Sequence, residues 1–68
     1  MTVAIYTIQA FKGGQRTLQS KLIGAMTDRN LAIAVAENEE VRRDHKWKCE
    51  VLEFTSPAEP PRVVRPLL

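Results

Sequence analysis

The sequence has little with which a small fold could be cross-linked. Its 68 residues contain one cysteine, Cys49, and one histidine, His45. A single cysteine leaves no partner for a disulfide within the chain, and these two residues fall short of the four ligands that a structural zinc site needs. A chain of this length buries only about 60% of its unfolded surface. We therefore expect a second copy of the chain to supply stability, because small scaffolds usually need such a supplement.

Long hydrophobic runs are also missing. No apolar stretch approaches the roughly 20 residues that cross a bilayer, and the first residues lack the basic flank of a secretory signal. The hydrophobic fraction is 44% and the charged fraction is 26%, as in an ordinary globular chain. Together with the lone thiol, these features predict a cytoplasmic protein that has no membrane partner.

Glycine is scarce, and two of the three glycines stand together as Gly13-Gly14. The run before them, residues 3–11, is rich in β-branched and aromatic residues and predicts a strand. Adjacent glycines can adopt positive φ without steric cost, which favours a two-residue hairpin turn. The returning strand is then expected from Arg16 to about Met26, with Leu22 and Met26 on the same face.

A helix is the alternative for this returning segment. Leu18, Leu22 and Met26 recur at a spacing of four residues, which also fits one stripe of a helix. The element order would then be β-α-α-β. Gly24 argues against it, because glycine costs about 1 kcal/mol relative to alanine inside a helix.

A helix is predicted after Thr27-Asp28, where either side chain could cap the first turn. Its end is expected at Asp44 or His45, because no glycine follows. The residues expected on one helical stripe are Leu31, Ala34, Val35, Asn38 and Val41.

The segment 46–54 predicts a strand whose two faces differ in polarity. Trp47, Cys49 and Val51 alternate with charged residues, as in a sheet covered on one side by a helix. From Ser56 onward four prolines exclude a regular helix and a central strand. We therefore divide the chain into a single domain, 1–55, and a Pro-rich extended tail, 56–68. The apolar residues of the tail offer an alternative, an added edge strand.

These elements predict an α+β fold of order β-β-α-β, with one helix on a three-stranded, mostly antiparallel sheet. The expected core residues are Ile5, Leu22, Leu31, Val35, Val41, Trp47 and Val51. One helix covers one face of a sheet, so apolar residues on the other face favour self-association. Depending on the phase of the first strand, that face carries Tyr6 and Ile8, or Val3 and Ile5. The candidates for self-association are Tyr6, Ile8 and Phe54.

The sequence shows no catalytic, cofactor or metal signature. His45 and Cys49 lie four residues apart, but no third group orients them for nucleophilic catalysis, and a surface histidine with a buried thiol is the expectation. Gly13-Gly14 matches no phosphate-binding fingerprint. The acidic residues that follow the helical stripe lack the pattern of a calcium loop and are expected on a solvated face: Glu37, Glu39 and Glu40.

The net charge is +2, and the positive charges are concentrated in the hairpin. Residues 1–27 carry three cations and no acid. A basic two-stranded ribbon can enter the major groove of DNA, and an exposed Trp47 could stack on a base. The candidates for DNA or RNA contact are Lys12, Arg16, Lys21, Lys46 and Lys48.

The sequence thus predicts a non-catalytic cytoplasmic module that acts through protein contact as a homo-oligomer, most simply a dimer. Nucleic-acid binding through the hairpin and the Trp47 strand is the alternative. No cofactor and no metal are predicted for either function.

Overall fold

The computed structural model describes residues 3–67, in which one helix packs on one face of a four-stranded antiparallel sheet. The elements are β1 (Ile5–Lys12), β2 (Ser20–Met26), α1 (Arg29–Arg42), β3 (Trp47–Phe54) and β4 (Arg62–Arg65). The strands lie in the order β2-β1-β3-β4. The predicted α+β class is confirmed. Within residues 3–67 no helix is both long enough and apolar enough to span a membrane.

The fourth strand corrects the predicted three-stranded sheet. Part of the segment predicted as an extended tail forms β4, which pairs with β3 through Leu52 and Val63. Pro60, Pro61 and Pro66 flank this short strand rather than entering it, and an edge strand of this kind tolerates such neighbours. The edge-strand alternative for the tail is the arrangement that the structure shows.

The hairpin between β1 and β2 has a wide loop instead of the predicted two-residue turn. Gly13 and Gly14 do adopt positive φ, at 65° and 73°. The backbone hydrogen bond next to the loop joins the two strands where the N–H of Lys12 donates to the carbonyl of Gln19, at 2.9 Å. β2 therefore begins four residues later than the predicted Arg16, and residues 13–19 form the loop. The alternative helix over 15–26 is wrong.

A bulge in β2 changes which residues share a face. The pairing of β1 with β2 shifts between Ile8 and Gln9, which leaves Ile23 as an extra residue of β2. Such a bulge reverses the alternation beyond it. Leu22 therefore lies on the face away from the helix, while Met26 packs against the core. The prediction that both side chains share one face is wrong.

The core lies between α1 and the sheet and is built mainly from small side chains. Its buried members are Tyr6, Ile8, Ala10, Ala32, Ala36, Cys49 and Val51. Of the predicted core residues, Val51 is fully buried, and Val35 and Trp47 pack at the margin. The predicted core residues that are instead exposed are Ile5, Leu22, Leu31 and Val41.

The helix is rotated relative to the prediction. It faces the sheet with Ala32, Ala36 and Glu40, which recur at the four-residue spacing of one helical face. Short alanine side chains let the helix backbone approach the strands, and the strands supply the larger core residues. Leu31 and Val41 consequently point to solvent.

The predicted start of the helix is confirmed, and its last residue, Arg42, lies two residues before the expected end at Asp44. Oδ1 of Asp28 accepts a hydrogen bond from the N–H of Leu31, at 3.0 Å, as an N-cap does. At the other end Asp44 and His45 both have φ of 57°. The N–H of His45 donates to the carbonyl of Glu40, at 2.7 Å, so two residues in the left-handed region end the helix where glycine is the usual choice.

Candidate functional site

The sheet face that α1 leaves uncovered carries several exposed large apolar side chains, and we call it the open face. Its large apolar residues are Ile5, Leu22, Leu52, Phe54 and Val63. Direct cross-strand pairs join Ile5 to Phe54 and Leu52 to Val63, so three adjacent strands contribute to one patch. Ile5 is 48% exposed, Val63 is 55% exposed and Phe54 is 38% exposed. Exposed patches of this kind mark contact sites.

A shallow groove marks one end of the open face. Its volume is about 270 Å³, and Val3, Ile5, Phe54 and Pro57 supply most of its wall. Val3 lies just before β1 and is 64% exposed. The groove is therefore an apolar recess, suited to the apolar side chains of a protein partner.

The other end of the open face carries an ion pair. Arg16 from the 13–19 loop forms a bidentate pair with Glu50, in which Nη1 donates to Oε1 at 3.1 Å and Nη2 donates to Oε2. The guanidinium also lies over the ring of Phe11, 5.1 Å from its centre. Glu50 is only 3% exposed as a result, and its hydrogen bonds raise the pKa of Arg16. Arg16 is thus engaged within the chain.

The cations predicted to contact nucleic acid do not form one surface. Lys21 is the cross-strand partner of Ala10 and therefore lies on the helix-covered side of the sheet. Lys12 and Lys46 are exposed at the hairpin end, and Lys48 is half-buried nearby on β3. Lys12, the partner of Trp47, lies on the same side as Lys21. Lys48 lies on the open face, so these cations are divided between the two faces of the sheet.

The three residues predicted for self-association are divided between the two faces. Ile8 is fully buried and Tyr6 is 8% exposed, because both point toward α1. The hydroxyl of Tyr6 donates to Oε2 of Glu53 at 2.7 Å, and this hydrogen bond raises the pKa of Tyr6. Phe54 alone lies on the open face, where Ile5 takes the place expected for the other two. The prediction for Tyr6 and Ile8 is therefore corrected.

A polar network that the sequence did not reveal joins three elements on the helix side. Oε1 and Oε2 of Glu40 accept hydrogen bonds from Nη2 and Nη1 of Arg65, both at 2.9 Å. Oε2 also accepts from the N–H of Cys49 at 2.8 Å, and Arg65 donates to the carbonyl of Cys49 at 2.7 Å. Arg65 holds the pKa of Glu40 below its ordinary value, and burial raises the pKa of the Cys49 thiol.

The prediction that Glu40 lies on a solvated face is therefore wrong. Glu40 follows Ala32 and Ala36 at steps of four residues, so it continues their stripe onto the sheet. This four-residue spacing is the sequence feature that indicates the position of Glu40 on the sheet side of the helix. The partner, Arg65, is 25 residues away in the chain, and no local pattern indicates it.

Chemistry-bearing side chains are dispersed across the described residues. Cys49 is buried and His45 is exposed, so the two do not form a nucleophile and base. Residues 3–67 contain no group of three potential metal ligands. Protein-family models, curated proteins and solved structures give no significant match to this chain. The functional argument therefore depends on the surfaces of this chain.

Proposed function

We propose that this protein is a non-catalytic module that acts through protein contact and self-associates, with two copies packing open face against open face. The observation that carries the proposal is the exposure of large apolar side chains on a sheet face that has no covering layer. We also infer a cytoplasmic location, because the free thiol of Cys49 suits a reducing compartment.

The size of the open face suits such a contact. A stable interface buries about 800 Å² on each partner, which is roughly one sixth of the 4761 Å² that the chain exposes. The three longer strands, about 25 Å long and about 4.8 Å apart, and the four residues of β4, about 13 Å long, present a projected area of roughly 420 Å². The accessible area of a face covered with side chains exceeds its projection, which brings the open face toward the area of a standard interface.

The charges on the open face also favour a second copy. Glu50 pairs with Arg16 at the polar end of the face, and the cross-strand pair Ile5–Phe54 at the other end is uncharged. A twofold axis near the Ile5–Phe54 pair would place apolar residues of one copy on those of the other. Lys48 of each copy would then lie away from the axis, near the rim where charges are tolerated.

Sedimentation velocity between 1 and 200 µM tests the proposal. We expect the wild type to dimerise in this range and Ile5→Ser and Phe54→Ser to remain monomers. The matched control is Val41→Ser, which removes a side chain of similar exposure (63%) from the outer side of α1 and should leave the dimer intact. Tyr6→Ser is unsuitable, because Tyr6 belongs to the core.

A monomeric wild type at 200 µM would exclude self-association through this face. Equal loss of the dimer in Val41→Ser and Ile5→Ser would place the contact elsewhere. Circular dichroism of each variant at 5 µM shows whether the fold survives the change.

Nucleic-acid binding is the second candidate, and one observation favours it. Lys12 is the cross-strand partner of Trp47, and Lys46 and Lys48 flank the same tryptophan. Three cations that form no ion pair within the described residues thus lie at the same end of the sheet as one half-buried aromatic residue. Trp47 fluorescence, titrated with single-stranded and duplex DNA at 50 and 200 mM salt, tests this candidate. Saturable quenching that weakens with salt is expected for binding, and unchanged emission at low salt would reject it.

A further inference from the structure

A cleft of about 290 Å³ lies between the start of α1 and β4, on the helix side of the sheet. Its lining residues are Arg29, Glu53, Arg62, Val63 and Val64. The cleft exists because α1 packs over the other three strands, as shown by its contacts, and does not cover β4. Arg29 lines the cleft from α1, Arg62 from β4 and Glu53 from β3.

The two arginines of the cleft differ from the other arginines of the chain. All six arginines lie within the described residues, and four of them have a carboxylate within 4.0 Å. Arg29 and Arg62 have none among residues 3–67. The nearest acid in the cleft, Glu53, instead accepts the hydroxyl hydrogen bond of Tyr6 through Oε2. Two unpaired guanidinium groups therefore face the same small space.

The charge and shape of the cleft define the ligand. Two arginines and one glutamate give the lining a net charge of +1, which matches a single negative charge. A guanidinium group binds both oxygens of a carboxylate in a planar fork. Val64, which packs against the helix-side core, offers apolar contact to whatever carries that carboxylate, whereas the side chain of Val63 lies on the open face beside Leu52. An added peptide strand is disfavoured, because flanking prolines and the bulge at Val64 protect the β4 edge.

We propose that this cleft binds a small monocarboxylate, whose carboxylate lies between Arg29 and Arg62 and whose short apolar chain contacts Val64. This site is on the side of the sheet opposite the proposed dimer contact. Its ligand binding is therefore independent of self-association, and the Ile5→Ser variant should retain it.

Titration of the ¹⁵N-labelled protein with sodium butyrate and sodium acetate, followed by amide chemical shifts, tests the site. We expect saturable shifts at the amides of Val63 and Val64, with butyrate binding more tightly than acetate because of the contact with Val64. Arg62→Gln and Arg29→Gln should each raise the Kd at least tenfold. The matched control is Arg42→Gln, an exposed arginine at the far end of α1 (68% exposed), which should change the Kd by less than twofold.

Two control titrations use sodium chloride at equal ionic strength and inorganic phosphate. Equal shifts with chloride would show a general salt effect and overturn the proposal, and tighter binding of phosphate would overturn the assignment to a carboxylate. Unchanged affinity in both arginine variants would also contradict it. Because Arg29 is not part of β4, Arg29→Gln remains decisive even if Arg62→Gln loosens that strand.

Discussion

Glu40 connects α1, β3 and β4 through one carboxylate. It pairs with Arg65 and accepts the N–H of Cys49, and its side chain is only 10% exposed. Glu40→Gln leaves the guanidinium without its charge partner, so we expect a loss of about 1–3 kcal/mol in the free energy of unfolding. Urea denaturation followed by Trp47 fluorescence measures this loss. Glu37→Gln on the exposed side of the same helix is the control and should cost under about 0.5 kcal/mol.

Replacement of both partners distinguishes a buried pair from a surface pair. The double variant Glu40→Met/Arg65→Met should recover most of the stability that Glu40→Gln loses, because a well-packed apolar pair often replaces a buried ion pair without cost. An equal loss of unfolding free energy in Glu37→Gln and Glu40→Gln would show that the hydrogen bonds of Glu40 do not stabilise the fold.

The same carboxylate predicts an acid dependence of stability. The pKa of Glu40 in the folded state is lowered, first by the hydrogen bonds from Arg65, relative to the ordinary value of 4.5. The unfolded chain then binds a proton more readily, so the stabilisation is complete above about pH 4.5 and is lost as the pH falls through the folded-state pKa. Unfolding free energies measured from pH 7 to pH 3 should fall more steeply for the wild type than for Glu40→Gln. Parallel curves would contradict this assignment.

The thiol of Cys49 should be unreactive in the native protein. Cys49 is fully buried, and burial raises its pKa, so both access and the thiolate fraction are reduced. We expect reaction with Ellman's reagent at pH 8 to be at least a hundredfold slower than for Ala58→Cys in a Cys49→Ser background, because residue 58 is exposed. Equal rates would mean that β3 opens readily.

At the end of α1 the backbone of His45 adopts an unfavourable left-handed conformation, and one substitution can relieve it. His45 has φ of 57°, where glycine avoids the steric penalty of a Cβ. We expect His45→Gly to stabilise the protein by about 0.5–1 kcal/mol, and His45→Val to destabilise it, because β-branched residues tolerate this region least. Thermal unfolding compares the two variants with the wild type. A lower Tm for His45→Gly would show that its imidazole makes a compensating contribution.

The elements that local signals define were predictable from the sequence. The capping Asp28, the run before Gly13-Gly14 and the alternation at Trp47, Cys49 and Val51 each indicate an element through its immediate neighbours. The ends of α1 and the strand character of β1 and β3 follow from those signals. The structure agrees with them to within one or two residues.

The features that could not be predicted from the sequence depend on contacts between distant parts of the chain. The rotation of α1 follows from the close approach that Ala32 and Ala36 allow, although Leu31 and Val41 form an equally regular apolar stripe. The bulge at Ile23 and the pairing of β4 likewise arise from neighbouring strands. Among the candidate residues, Phe54 was identified from sequence, whereas Ile5 was named as a core residue and, in the alternative phase of β1, on the uncovered face, because that phase depends on which face the helix covers.

At the scale of the whole molecule, a thin core lies beside a large uncovered face. Of the seven buried core residues, three are alanines and one is a cysteine, and these four small side chains bury little apolar area. The larger apolar side chains of Ile5, Leu22 and Val63 are on the open face. A monomer with this distribution should be marginally stable, and burying the open face would add the missing apolar contact. Self-association and stability are therefore expected to be linked.

This linkage predicts a melting temperature that rises with protein concentration. A hundredfold increase in concentration favours a dimer by about 2.7 kcal/mol, or about 1.4 kcal/mol for each chain, which corresponds to roughly 5–10 °C for a domain of this size. Circular dichroism melts at 2 and 200 µM should show this rise for the wild type and for Val41→Ser. Ile5→Ser should melt at one temperature, near that of the dilute wild type. If the wild-type Tm does not change with concentration, the open face stays exposed in solution and the core alone holds the fold.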